Sequence, residues 1–425
     1  MRSFVVNLEC TYPGCGEEYS IDELNKLCIK CGRVLYARYD INAAKKSLSK
    51  EDLIHRDPNM WRYFEMMPVK DPKNVITLGE GFTPIFHAEN LGQVEGYSNL
   101  YIKDEGLNPT GSFKDRGMTM AVSRAVEAGS KAVICASTGN TSASAGMFAA
   151  NENMDCDVYI PEGEIAPGKL SQAYQFGTQL IQVKGNFDDA YAKSLEVTSQ
   201  SNGYTVNSIN PFRIEGQKTI LYRALEFMNW EVPDWIVYPG GALGNTSSCG
   251  KAIMELYEWG WIKKIPRIAV INAEGANTLD VLYNGKFEGT KLRWNKGEPD
   301  MELIERYYSK MQKDDIRPKT KATAIQIGKP ANIIKALRAL EFTNGVVITV
   351  TDNEMLDGMT IVGLNGFDCE MASGSVPSGV KKLIGNDIIK KDDKIIGILT
   401  GRQKEPLLPI NYHNEPSNLF ARPPK

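Results

Sequence analysis

Histidine is almost missing from this 425-residue sequence: His55, His87 and His413 are the only three. None sits in a recognisable catalytic setting, so mechanisms built on a Ser-His or Cys-His pair find little support. Long apolar runs are missing too. No stretch approaches the ~18 consecutive apolar residues of a membrane-spanning helix. The N-terminus, MRSFVVNLECTYPGCG, lacks the apolar core of a secretory signal. There is no basic block: 49 Lys and Arg stand against 52 Asp and Glu, a net charge of −3. Nothing there would attract nucleic acid or an anionic membrane surface. No internal repeat is visible. The expectation is a soluble, cytoplasmic protein of two or three domains, since a chain of this length exceeds one small core. A chain so poor in histidine needs another proton carrier for catalysis, and lysine is the obvious candidate.

Cysteine is what the N-terminus has. Four of the eight fall within the first 31 residues, as Cys10-x4-Cys15 and Cys28-x2-Cys31, with Gly16 and Gly32 after each pair to help the chain turn. Four converging thiolates suit a tetrahedral structural Zn2+ site of the zinc-ribbon kind. A metal-free relic with reduced thiols, or disulfides, are the alternatives; a reducing compartment disfavours the last. Such a closed site would leave no position for zinc catalysis. Cys135, Cys156, Cys249 and Cys369 are scattered, and burial as small apolar side chains is expected.

Residues 41–75 are polar and broken by Pro58, Pro68 and Pro72, and read as a connector with one helix. From residue 100 a β-α alternation begins. Helices are expected at 114–128, 141–153, 169–176, 187–201, 215–230 and 246–259, and strands at 131–137, 156–161, 179–183, 204–208, 234–238 and 267–273. The strands are short apolar runs, as in parallel sheets buried on both faces. Their spacing forces crossover helices and hence an open α/β sheet. Residues 285–330 read as a charged, irregular insertion and 415–425 as a tail.

Three loops carry the chemistry, placed where α/β sheets bind ligands. In Asn108-Pro-Thr-Gly-Ser-Phe-Lys114-Asp-Arg-Gly a tight turn delivers a lysine to the start of a helix. The helix dipole and partial burial both disfavour its ammonium form, exposing an amine that can form a Schiff base with an aldehyde cofactor. Alone, a solvated surface lysine is the commoner case. Ala136-Ser-Thr-Gly-Asn140-Thr-Ser-Ala-Ser offers amides and hydroxyls to an anion at a helix N-terminus, or is simply a Ser/Thr-rich cap. Pro239-Gly-Gly241-Ala-Leu-Gly244-Asn245-Thr is a glycine turn of the sort that wraps phosphate, and it matches neither the Walker nor the dinucleotide pattern.

In that order on one sheet, the three loops resemble the fold-type-II pyridoxal-phosphate (PLP) enzymes, from about residue 78 to 402. The specific resemblance is to the threonine synthase family. It is carried by Leu78-Gly-Glu-Gly-Phe-Thr-Pro-Ile, Glu105-Gly-Leu-Asn-Pro-Thr-Gly-Ser-Phe-Lys-Asp-Arg-Gly-Met, Asn207-Ser-Ile-Asn-Pro-Phe-Arg-Ile-Glu-Gly-Gln-Lys-Thr and the cysteine ribbon ending at Tyr39-Asp40. The resemblance implies a tryptophan-synthase-β-like fold: two open α/β domains with the cofactor between them, behind a zinc-ribbon-like segment at 1–40. The catalytic region would be 41–425, with a smaller subdomain at roughly 110–225. It implies Lys114 as the Schiff-base lysine, Asn140 at the cofactor's phenolic oxygen, and Gly241, Ala242, Leu243, Gly244 and Asn245 around its phosphate. Thr400 would meet the pyridine nitrogen, where a hydroxyl partner would leave that nitrogen largely unprotonated. Ser137 and Thr138 would lie in the loop taking the substrate carboxylate, and Thr141, Asn207, Ser208 and Arg213 would grip a substrate phosphate. The implied reaction turns O-phospho-L-homoserine and water into threonine and phosphate, in a homodimer. Two segments depart from the family pattern: Gly401-Arg-Gln-Lys-Glu-Pro replaces a His-Gly-Leu-Lys-like run, and Cys369-Glu-Met-Ala-Ser-Gly-Ser lacks the proline of Glu-Pro-Ser-Ser. They keep open a related lyase, such as cysteate synthase acting on phosphoserine.

Overall fold

In the computed structural model, residues 1–23, 27–95, 97–163, 167–295 and 298–404 are described. The chain begins with a three-stranded antiparallel sheet in which β1 (Val5–Cys10) lies between β2 (Glu18–Ser20) and β3 (Leu35–Tyr39). Gly16 and Gly32 have φ of 67° and 69°, so the turns after the cysteine pairs use the left-handed backbone that glycine permits. The four sulfurs of Cys10, Cys15, Cys28 and Cys31 lie within 4.8 Å of one another. Cys10–Cys31 and Cys15–Cys28 are separated by 3.4 and 3.5 Å, far beyond the ~2.05 Å of a disulfide. Tetrahedral zinc with Zn–S of about 2.3 Å sets sulfurs about 3.8 Å apart. The donor set and its spacing therefore fit a metal, and the disulfide alternative falls away. The other four cysteines are buried.

The connector holds α1 (Ile41–Ser47), capped by Asp40 through Ala43 N–H, and three 3-10 turns besides. One of these, Met60–Met66, is buried throughout. Then follow β4 (Ile85–His87), α2 (Glu89–Glu95), β5 (Leu100–Asp104), α3 (Lys114–Glu127), β6 (Ala132–Ala136), α4 (Asn140–Asn151) and β7 (Asp155–Pro161). Next come α5 (Pro167–Gln175), β8 (Gln179–Val183), α6 (Phe187–Gln200), β9 (Gly203–Thr205), α7 (Arg213–Gln217), α8 (Thr219–Phe227) and β10 (Trp235–Gly240). The chain continues through α9 (Gly244–Trp259), β11 (Arg267–Ala273), α10 (Thr278–Tyr283), the short pair β12 (Trp294–Asn295) and β13 (Glu298–Pro299), and α11 (Met301–Lys313). It closes with α12 (Ile333–Phe342), β14 (Val346–Val350), α13 (Asp352–Leu364), α14 (Met371–Gly385) and β15 (Ile395–Leu399).

Two sheets result. One is wholly parallel, in the order β8-β7-β6-β9. The other runs β14-β11-β10-β15-β5-β4 and is parallel except for β4, which pairs antiparallel with β5. Central strands such as β10 and β15 are buried at every residue, and each fully buried Val or Ile contributes roughly 1.5–3 kcal/mol. Burial on both faces does not extend to β8, an edge strand whose Gln179 and Gln182 are exposed.

Two expectations need correction. The helix expected over 215–230 starts at Arg213, breaks at Lys218 and ends at Phe227, because Asn229 and Trp230 take positive φ of 52° and 64°. The segment 285–330 is not irregular throughout. It contains α11, capped by Asp300 through Leu303 N–H, which buries Leu303, Ile304, Tyr307 and Met311 at helical spacing. The tail at 415–425 lies outside the described residues. Among the described residues no helix is long and apolar enough to cross a membrane.

Candidate active site

Four strand ends aim loops at one point. Asn140 follows β6, Ser208 follows β9, the Gly241–Asn245 turn follows β10 and Thr400 follows β15. Together with Lys114 and Arg213 they line a single cavity, at the carboxyl ends of parallel strands where ligand crevices form.

The lysine turn is held from beneath. Buried Asp115 accepts from Thr110 N–H at 2.7 Å, from the Thr110 hydroxyl at 2.6 Å and from Ser144 at 2.6 Å. Burial nevertheless pushes Asp115 up to about 6. Buried Glu105 takes Arg116 in a fork, at 2.6 and 2.8 Å, and also accepts from Asn108. These anchors fix Lys114 as the first residue of α3, its Nζ 4.3 Å from the Phe113 ring centroid. Its amine is pushed down to about 7: burial disfavours the ammonium, Arg213 adds a like charge, and Glu370 pulls weakly the other way.

Arg213 reaches this point because α7 lies against α3 at glycine. A Cβ on Gly216 would stand 1.8 Å from the Arg116 carbonyl oxygen, so only glycine permits the approach. The Arg213 guanidinium is 2% exposed; Nη1 donates to Val206 O at 3.1 Å, while Nε and Nη2 have no partner. Burial lowers its pKa to about 10. A buried cation with two donors unpartnered has the chemistry to bind an anion.

The turn after β10 is tight for a similar reason. A Cβ on Gly241 would come within 2.9 Å of Ile325 Cα, and Leu243 takes a left-handed φ of 64° before α9 opens. A non-glycine residue in that region carries strain of order 1 kcal/mol or more. The turn thereby presents the first N–H groups of a 16-residue helix. Beside it the Thr246 hydroxyl and the Asn245 and Asn332 carboxamide oxygens are buried without partners.

Of the residues singled out from sequence, Lys114, Asn140, Ser208, Arg213, Gly241, Ala242, Leu243, Gly244, Asn245 and Thr400 line the cavity. Ser137, Thr138, Thr141 and Asn207 do not. Both ends of the Asn207 amide are committed to Ala136, donating to its carbonyl and accepting from its N–H at 2.9 Å each. This pairing fixes Asn207 at the end of β6 and leaves one amino hydrogen for a further partner. The sequence reading missed Glu370, which accepts from Asn140 Nδ2 at 2.9 Å and from the Thr400 hydroxyl at 2.8 Å. It also missed Lys404, which donates to Asn140 Oδ1 at 3.0 Å. Both lie in the two segments that depart from the family pattern, which was the only signal pointing to them. Gln217 and Asn332 also line the cavity.

The residues present fit pyridoxal phosphate. A buried lysine whose ammonium form is disfavoured shares one cavity with a glycine turn on a helix N-terminus, the Asn140 amide and the Thr400 hydroxyl. The family model "Pyridoxal-phosphate dependent enzyme" matches residues 76–401. A fungal L-serine ammonia-lyase from Rhizomucor miehei superposes with a TM-score of 0.60 at 21% identity, over 76% of this chain and 94% of that one. Threonine deaminase isoform 2 of Solanum lycopersicum does so at 0.57 and 16%, over 81% and 89%. Fold and site together define a PLP-dependent enzyme of fold type II.

Sequence similarity narrows the class. The threonine synthase of Methanocaldococcus jannaschii is 41% identical over 410 residues, 95% of each chain. That of Methanosarcina acetivorans is 37% identical over 96% of this chain and 95% of its own. The chain belongs to the threonine synthase family.

Proposed function

We propose that this chain converts O-phospho-L-homoserine and water into L-threonine and phosphate, with Lys114 as its proton-moving group and Arg213 as the seat of the substrate phosphate. The observation that carries the reading is the buried Arg213 guanidinium with two unpartnered donors in the cavity that holds Lys114. A deaminase acting on an unphosphorylated amino acid has no use for such a group.

Lys114 would hold the cofactor's aldehyde carbon, Gly241, Ala242, Leu243, Gly244 and Asn245 its phosphate, Asn140 its phenolic oxygen and Thr400 its ring nitrogen. The bound cofactor supplies an electron sink that acidifies Cα and Cβ of the amino acid and allows phosphate to leave Cγ. The released Lys114 amine, lowered to about 7, takes and returns protons at Cα and Cβ near neutral pH. Arg213 and Ser208, with Thr141 and Asn207, would grip and orient the leaving phosphate. Ser137 and Thr138 would take the substrate carboxylate. Residues 1–40 form the zinc-held segment, and 41–425 the catalytic region with its smaller part at roughly 110–225. A cytoplasmic homodimer completes the reading, and sedimentation of the loaded protein tests the dimer.

The test supplies the loaded protein with O-phospho-L-homoserine or O-phospho-L-serine, with and without sulfite, and measures phosphate and amino-acid products. Phosphate and threonine from phosphohomoserine alone support the reading. Phosphate from phosphoserine alone, dependent on sulfite, moves the assignment to a cysteate-forming lyase on the same site.

A further inference from the structure

Among the described residues Glu370 is the one carboxylate lining the cavity, and it ties together two side chains expected to meet the cofactor ring. The direction of every hydrogen bond around it can be fixed. Lys404 Nζ has only protons to give, so at 3.0 Å it determines that Asn140 Oδ1 is the accepting end of that amide. The Asn140 amino group therefore faces Glu370 Oε2, at 2.9 Å, and keeps a second hydrogen free. On the other side Thr400 N–H donates to Ser373 Oγ at 2.8 Å, and the two hydroxyls lie 3.0 Å apart. A carboxylate can only accept. The Thr400 hydroxyl hydrogen is thus spent on Glu370 Oε1 at 2.8 Å, and the Ser373 hydroxyl donates to Thr400. Thr400 Oγ1 is left with one lone pair and no hydrogen to offer.

We propose that Glu370 is a positioning residue that makes Thr400 an obligate acceptor and so keeps the ring nitrogen of the bound cofactor protonated. This rests on the reading that Thr400 meets that nitrogen, and it reverses what a bare hydroxyl partner implies. An isolated threonine can donate to an unprotonated ring nitrogen, whereas one whose hydrogen is held by a carboxylate can only receive a hydrogen from it. The negative charge then acts on the nitrogen through one hydroxyl, in a chain whose members polarise each other. A protonated ring nitrogen is the stronger electron sink, which suits a reaction needing protons removed at two carbons. The same carboxylate orients the Asn140 amino group, whose free hydrogen is the one available to the cofactor's phenolic oxygen.

Glu370→Gln separates this from a merely structural role. Asn140 offers only hydrogens to Glu370, so the new amide must turn its oxygen to Asn140 and its NH2 to Thr400. The Thr400 hydroxyl hydrogen is then released toward the ring. The experiment loads the protein with cofactor carrying 15N at the ring nitrogen and confirms uptake by absorbance. The 15N signal is then recorded at pH 8, against the protonated and unprotonated limits of the free cofactor. The expected result is a signal near the protonated limit for the parent and near the unprotonated limit for Glu370→Gln and Glu370→Ala. A parent signal at the unprotonated limit overturns the proposal. So does a Glu370→Gln signal that stays with the parent while Thr400→Val moves it, and that outcome leaves Thr400 at the nitrogen. A signal that Thr400→Val leaves in place removes Thr400 from the nitrogen, and the proposal goes with it.

Discussion

Replacing Arg213 with methionine removes the guanidinium and keeps most of its bulk. In the ligand-free protein that charge is buried, with one bond to the Val206 carbonyl and two donors idle. Its removal exchanges one hydrogen bond for relief from an unpaired buried charge, so unfolding free energy should change by no more than about 1 kcal/mol. The substrate complex should behave differently. Loss of a buried, two-pronged contact to a phosphate dianion costs about 3–5 kcal/mol. That corresponds to roughly two to three and a half orders of magnitude in kcat/KM, and competitive inhibition by inorganic phosphate should disappear in step. A second effect comes through charge. Arg213 is part of what holds Lys114 down at about 7, so its removal should raise the Lys114 pKa. The amine is the reactive form above its pKa, so the pH profile of cofactor uptake by the stripped protein should move to higher pH. Steady-state kinetics with phosphohomoserine, phosphate inhibition and stopped-flow uptake across pH 6–10 together test the chain of reasoning. Unchanged phosphate inhibition, or a loss in kcat/KM under threefold, would refute it.

Lys114→Ala should abolish threonine formation, and borohydride treatment should fix the cofactor's mass to the parent and not to the variant. For the parent, cofactor uptake should rise with pH and level off above a midpoint near 7; a midpoint near an ordinary lysine's ~10.4 contradicts the role of burial. Elemental analysis should find one zinc per chain, bound by Cys10, Cys15, Cys28 and Cys31, and Cys28→Ser should lose it and lower the melting temperature by several degrees. Gly216→Ala drives a Cβ into the Arg116 carbonyl and should cost about 1–3 kcal/mol in urea titration, with a matching fall in phosphate affinity as α7 moves off α3.

Periodicity made the middle of the chain legible. Strand Gln179–Val183 and strand Arg267–Ala273 have the bounds expected, and α3, α4, α6 and α9 end within two residues of theirs. Such segments announce themselves by local pattern, and local pattern is what a sequence displays. The stop at Phe227 was hidden, because positive φ at Asn229 and Trp230 has no composition cue as strong as glycine. Helix α11 was overlooked for another reason. Its apolar stripe was present, but the surrounding charge was read as irregularity. The site divides in the same way. Lys114, Asn140 and the Gly241–Asn245 turn sit in motifs, and all of them line the cavity. Glu370 and Lys404 come to Asn140 from 230 and 264 residues away, and only tertiary structure brings them there. Asn207 shows that a motif residue can also serve the fold: its amide pairs with Ala136 at the end of β6.

The most direct test of the account runs the reaction on phosphohomoserine in water enriched in 18O and examines both products by mass spectrometry. Loss of phosphate from Cγ followed by addition of water at Cβ places one 18O in the threonine hydroxyl and none in the phosphate. Label in the phosphate, with homoserine as its partner, would mean cleavage at phosphorus by a simple hydrolase, and would contradict a mechanism centred on Lys114.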